Sequence, residues 1–428
     1  MELKLQKILI LYLFCFSIFS YSQSDFQNIQ LPRPKKAKYY YAQCEPSIAI
    51  NQQNTNELIA GSIINDYYFS KDAGKTWKAS SLKSKYGVWG DPVMLFDKHG
   101  AAYYFHLAKY KKVFIDRIVC QKADSLNSKF SKGTFPKPNG KKAQDKHWVA
   151  YDSKRDAIYM TWTQFDKYDS KNPLDSSTIV FSKSIDGGLT WSDPKRISKF
   201  AGDCIDSDNT VEGAVPTVGP NSELYVCWTG PKGLCFQKSL DFGETWLEEE
   251  QILGKQVEGW DLEVPGIQRC NGLPIFSCDT SNSQYRGRLY LNWADQRNGK
   301  QNTDVFMKYS DDQGKTWSEA IKVNQDNSQK HQFFTWMAID QSNGNLYFVY
   351  FDRRNYTDSK TDVYLSISKD GGKTFEDKRI SESPFIPNEK IFFGDYNNIA
   401  VHNGIVRPIW PRMDGGRITL WTALIEEK

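Results

Sequence analysis

Cysteine is sparse in this chain. Eight occur in 428 residues, and none forms a Cys-x-x-Cys pair, so the common zinc-binding spacing is absent. An excess of charge of one sign is lacking too. Fifty-five basic and 51 acidic residues give a net +4, too mild and too mixed to predict a nucleic-acid or membrane-surface partner. Beyond the N-terminus no apolar run is long enough to cross a bilayer. No helix of consequence and no low-complexity linker is expected.

The one long apolar run, Ile8 to Phe19, follows Lys4 and Lys7 and precedes Ser20-Tyr21-Ser22. A weakly positive start, a short apolar stretch and small residues at the cleavage offsets predict a signal peptide over residues 1–22, too short to be a membrane span. The mature chain, 23–428, is then an exported single domain, periplasmic or extracellular and expected to be monomeric. Without Glu2, Lys4 and Lys7 it carries 53 basic and 50 acidic residues. Seven cysteines remain after Cys15 is removed, and an odd count leaves at least one unpaired. Cys227 and Cys235 flank a short turn, where a cross-hairpin bridge and two buried thiols are both open.

What the chain has in quantity is an internal repeat. Ser70-Lys71-Asp72-Ala73-Gly74-Lys75-Thr76-Trp77 returns at Ser184 to Trp191, Ser239 to Trp246, Ser310 to Trp317 and Ser368 to Phe375, with an eroded copy at Asp124 to Phe130. In each copy the Asp can accept from nearby backbone amides, the Gly permits a positive φ, and the aromatic drops back onto an apolar face. The motif is therefore a hairpin turn with its own anchor. Ahead of each copy run two short apolar, aromatic-rich segments split by Gly, Asn and Asp, which read as strands. The first of each pair begins at Ser47, Val93, Trp148, Ala214, Pro274, Trp336 and Asn398. Seven such units at spacings of about 45–65 residues fit four-stranded antiparallel blades. The expected fold is an all-β propeller of seven blades, with six as the alternative count. Its last blade lacks an outer strand, which the segment between Asp25 and Tyr41 is expected to supply, pairing the two ends of the chain and removing an open edge.

The repeat is that of the Asp box, or bacterial neuraminidase repeat, and the chain resembles the proteins that carry it. In those families the box is a structural turn on a propeller rim, so the resemblance implies fold before function. Sialidases among them use an arginine triad for the sugar carboxylate, a tyrosine nucleophile with a nearby glutamate, and an aspartate acid/base. The chain departs from them in lacking the Arg-Ile-Pro signature, for which Leu31-Pro32-Arg33-Pro34 is a poor substitute, and in its blade count. Other propeller enzymes of this kind act on uronic-acid polysaccharides as lyases or rhamnosidases, using His and Tyr. Here His106 and His147 are the residues to consider, although His106 in Tyr104-Phe105-His106-Leu107 reads as a core residue.

Function in a propeller sits at a mouth of the central channel, so the residues leading into each inner strand matter most. They include Glu45, Asp91, Asp145, Glu212 and Asp395, five acids at corresponding places in seven units. Crowded at one opening, they would raise one another's pKa and supply an acid near neutral pH. An acid ahead of a strand also caps turns, and clustered carboxylates would equally suit a structural calcium ion; no other cofactor is expected. At the far ends of the second strands stand Arg297, Arg353 and Arg412. They would grip a substrate carboxylate or form Asp–Arg ladders, since Asp295 and Asp352 are close by. The reading is a glycoside hydrolase acting on an acidic glycan. Asp91, Asp145, Glu212 and Asp395 are its candidate acid/base groups and Tyr396 its candidate nucleophile. Glu45, His147, Arg297, Arg353 and Arg412 are expected at the substrate. A non-catalytic binding propeller and a uronate lyase are the alternatives. The loop Lys167 to Asp175 is expected to be an exposed insertion.

Overall fold

A computed structural model describes residues 26–34, 43–110 and 114–427; the expected signal segment lies outside the described residues. The chain is built from strands, and seven sheets stand around one axis. Their inner strands are Ser47–Ile50, Gly90–Phe96, Ala143–Asp152, Glu212–Val218, Ile275–Cys278, Gln332–Ile339 and Asn398–His402. Each neighbours the next, and the last returns to the first, closing a ring of seven. The six-blade alternative is thereby excluded.

The local pattern follows from the stacking of blades. A second strand such as Leu224–Gly230 or Leu346–Asp352 is covered on both faces by adjacent blades and is buried at every position. It therefore reads as a continuous apolar and aromatic run rather than an alternating one. The outer strands, such as Glu376–Arg379, face water and are polar. Blade two is the incomplete one. It has three strands, and a single bridge between Cys120 and Thr134 stands in for the fourth, in keeping with its eroded repeat.

Asn28–Gln30 supplies the missing outer strand of blade seven, pairing antiparallel with Trp421, Thr422 and Ala423. Asn28 Nδ2 also donates to Ile380 O of blade six at 2.8 Å.

The five intact boxes share one hydrogen-bond pattern. The Ser Oγ accepts from the Gly amide at 2.8–2.9 Å and donates to the Asp carboxylate at 2.7–2.9 Å. That carboxylate accepts from the Thr amide and hydroxyl. The Gly has φ between 78° and 87° in all five. At Gly243 and Gly314 a Cβ would stand 2.5 and 2.4 Å from Phe181 and Phe236 of the preceding blade. The box is thus also the seam between blades. In an up-and-down meander this turn lies on the face opposite the start of the inner strands, so the repeat that defines the fold is remote from the acids.

All seven described cysteines are free and buried. Cys227 pairs in register with Phe236 and Trp228 with Cys235. Successive side chains alternate faces, so the two thiols point to opposite sides of the sheet and the cross-hairpin bridge is ruled out.

Candidate functional site

At the start of the inner strands of blades two, three, four and six, one extra residue interrupts the pairing with the second strand. The residue in the bulge has left-handed backbone: Asp91 at φ 51°, Lys146 at 47°, Gly213 at 70° and Phe334 at 50°. Glu45, in the corresponding lead-in of blade one, has φ 51°. Only Gly takes this conformation freely, and each of the other four costs on the order of 1 kcal/mol. Such bulges re-aim side chains and recur next to active sites. Here they turn the lead-in residues toward the channel.

The result is one cluster of buried charge. Glu45, Asp91, Asp145, Glu212 and Asp395, the five acids expected there, are brought together and all are buried. Asp206, from the loop between blades three and four, makes a sixth. Two cations stand among them. Lys146 Nζ bonds Asp395 Oδ2. Arg269 Nε donates to Asp395 Oδ1 at 2.8 Å and its Nη1 to Asp206 Oδ2 at 2.9 Å. Tyr168 Oη donates to the same Asp206 oxygen at 2.8 Å, and Asn271 Nδ2 to Asp395 O at 2.8 Å.

Six carboxyls and two cations cannot all be charged in a buried site, and the protons distribute accordingly. Burial would raise Asp395, but Lys146 and Arg269 outweigh it and hold the carboxylate well below its usual range. Asp206 is likewise held low against its burial, by Glu212, Lys146 and Arg269. Burial raises Glu212 strongly, and Asp206 adds to it. The Glu212 carboxyl therefore keeps its proton beside the ionised Asp206, and neither of its oxygens has a hydrogen-bond partner. Glu45 is raised by burial and then by Asp91 and Asp395. Asp91 is raised by burial and by Asp395, against the pull of Lys146. Asp145 is pushed up to about 7 by burial and Asp91, with Lys146 opposing. The mouth thus holds two carboxyl couples, Glu45–Asp91 and Glu212–Asp206, with Asp145 poised near neutrality. Each couple titrates as a unit.

A carboxyl whose folded pKa is raised binds its proton more tightly folded than unfolded. Its effect on stability is therefore unfavourable as pH climbs from about 4, the unfolded value, through about 7 for Asp145. Asp145→Asn removes that penalty and keeps an oxygen for the Lys146 amide, which Asp145 Oδ1 accepts at 2.9 Å. The variant is expected to melt above wild type at pH 8 and close to it at pH 4.5. Equal melting differences at the two pH values in calorimetry would contradict the assignment.

Below the acids the channel is plugged by aromatic rings. Trp148 and Trp336 lie 4.4 Å apart, and Tyr396 is 5.2 Å from the first and 6.0 Å from the second. On the acid side a narrow cleft is lined by Lys146, Asn271, Thr335, Asp395 and Tyr396. On the other side a wider vestibule opens between the inner strands. The Tyr396 hydroxyl is buried without a partner, and burial, Asp91 and Glu45 raise it well above its ordinary value. A phenol so placed keeps its proton.

The three arginines do not converge as a carboxylate clamp. Arg297 is tied to Asp295 by its Nε at 2.9 Å and by Nη2 at 2.6 Å. Arg412 bonds Asp414, Ser383 O and Pro384 O. Arg353 is buried, donating to Pro265 O at 2.6 Å and Thr361 Oγ1 at 3.1 Å, with Nη2 unpartnered. None of these bonds reaches the acid cluster. His106 is a satisfied core residue, bonded to Leu107 O and Gln121 Oε1 and pushed down to about 4 by burial. His147 is buried beside it and lies lower still, at about 3, through burial and the neighbouring ring. Among the described residues no three His, Cys, Asp or Glu side chains converge as a metal site; Lys146 brings positive charge to the acids from the chain itself.

Sequence reasoning passed over Lys146, Arg269, Asp206 and Tyr168. Lys146 and Arg269 stand in the lead-in triplets Asp145-Lys146-His147 and Arg269-Cys270-Asn271, so position was the available signal. Asp206 and Tyr168 lie in loops with no repeat to mark them, and the expected insertion Lys167 to Asp175 instead reaches the site through Tyr168.

A BNR/Asp-box repeat model matches residues 308–319, around the fourth box. No curated protein matches the chain. Solved structures with similar folds include a PL25 ulvan lyase, known free and bound to GlcA(1-4)Rha3S, at 12% identity and TM-score 0.53, covering 92% of this chain and 96% of that one. The Hadza microbial sialidase Hz136 aligns at 14% identity and TM-score 0.48, covering 86% and 73%. The Trypanosoma rangeli sialidase with the inhibitor DANA aligns at 13% and 0.44, covering 82% of this chain and 56% of that one. The likeness is one of fold.

Proposed function

We propose that the chain is an exported, monomeric propeller that cleaves an acidic glycan by acid–base chemistry at the mouth where its inner strands begin. One observation carries this reading: five buried acids and Asp206 gather around Lys146 and Arg269 where the inner strands begin. Glu212, kept protonated by burial and by the neighbouring Asp206, is the proton donor to the glycosidic oxygen. Asp145, pushed up to about 7, is the group that can take a proton from water near neutral pH. Arg269, whose side chain is 33% exposed, and Lys146 attract the substrate carboxylate in place of the expected arginine trio. The fold shared with an ulvan lyase supports a carbohydrate as the substrate class.

A binding propeller is the second reading, favoured by the tightness of the cleft and by the capture of Arg297 and Arg412 in local ion pairs. The two separate on a panel of sialylated and uronic-acid glycans. Released sialic acid or new reducing ends are expected. Products with an unsaturated uronate would show elimination instead. Retention of a glycan with no product from any would establish the binding module.

A further inference from the structure

The acid mouth is flanked by a row of aromatic side chains at the margin of the core, Trp89 and Tyr168 packing against it and Phe114 standing outside it. Trp89, two residues ahead of Asp91, is half-buried. Its ring meets Phe114 edge-on at 5.6 Å, and Phe114 meets Tyr168 at 5.4 Å. Phe114 is 38% exposed. The row is joined to the acids, because Tyr168 Oη donates to Asp206, which stands beside Glu212 and accepts from Arg269. It also carries positive charge at both ends. Lys109 Nζ lies 3.9 Å from the centre of the Trp89 ring, and Arg269 stands beyond Tyr168 on the shared Asp206.

We propose that Trp89, Phe114 and Tyr168 form a stacking subsite for an acidic oligosaccharide, placing the ring next to the scissile bond over the Glu212–Asp206 couple. The chemistry fits that occupant. A pyranose has an apolar C–H face that packs on aromatic rings, and its carboxylate or sulfate would meet Lys109 at one end and Arg269 at the other. A neutral glycan would use the rings and gain nothing from either cation. This inference rests on the acidic-glycan reading above, from which its test must be separable.

The test is native electrophoresis of the full chain through gels containing polygalacturonate, a sialylated glycoprotein or neutral dextran. Wild type and Glu212→Gln are expected to be retarded by at least one acidic polymer and not by dextran. Phe114→Ala, at an exposed position that does not threaten folding, should lose about tenfold in apparent affinity, equivalent to one stacked ring. Equal retardation of wild type and Phe114→Ala by an acidic polymer would overturn the subsite and leave the proposed function standing. Retardation by dextran alone would overturn the acidic occupant. No retardation of wild type by any polymer, together with no product from the glycan panel, would overturn both.

Discussion

Glu212→Gln is expected to lower kcat by roughly 10²- to 10⁴-fold, the usual worth of a positioned proton donor, with KM little changed. The amide is nearly isosteric and, like the protonated carboxyl, uncharged, so the mouth keeps its packing and its charge and loses only a transferable proton. The folded state should survive, because Glu212 is already neutral in wild type. Initial rates on whichever acidic glycan yields product, together with a thermal midpoint, make the measurement. Wild-type turnover by the variant would remove Glu212 from the chemistry, and the neighbouring Glu45–Asp91 couple would become the source of the acid. A lost midpoint would mark Glu212 as structural.

Lys146→Met is expected to cost about 3–5 kcal/mol of stability, the range for removing one partner from a buried charge pair. Lys146 sits where the fields of Asp395, Asp91 and Glu45 add, which is why its pKa rises despite burial. Methionine keeps the stem and the volume, so the loss is one of charge. Two features separate this from a packing defect. The deficit should widen from pH 5 to pH 8, since the remaining carboxyls rise further without the ammonium and resist ionising while their unfolded counterparts do not. Asp395→Asn in the same chain should recover part of the loss, a coupling that a double-mutant cycle reads directly. A deficit under about 1 kcal/mol would show that Arg269 alone suffices to balance the acids.

The fold was legible because its architecture repeats. A strand buried on both faces must be apolar, so every second strand announced itself, and each of the five boxes marked a turn with a left-handed glycine. The acids were legible by position, since lead-ins occupy the same place in every unit. The charges that balance them were not. Lys146 follows Asp145 directly, and nothing in a linear reading shows that a one-residue bulge turns it toward Asp395 on another blade. The arginines misled for a local reason. An Asp two residues ahead can claim the guanidinium of its own turn, as Asp295 does with Arg297 and Asp352 with Arg354. That pairing makes Arg354, not Arg353, the counterpart of Arg297. Arg353 is instead buried against Phe333 and Pro265.

The pairing of Asn28–Gln30 with Arg417–Ala423 also sets an order of events during biogenesis. The earliest described stretch to emerge from synthesis or translocation has no partner until the latest has followed it. In the interval blades one to six form an arc whose end blades leave a flank open to water, to proteases and to other nascent chains. Joining such distant segments is slow, because loop entropy is lost before the contacts repay it. Quality control in the compartment where this protein matures would therefore act on the arc, and escape from it would coincide with the final hairpin docking on the waiting strand.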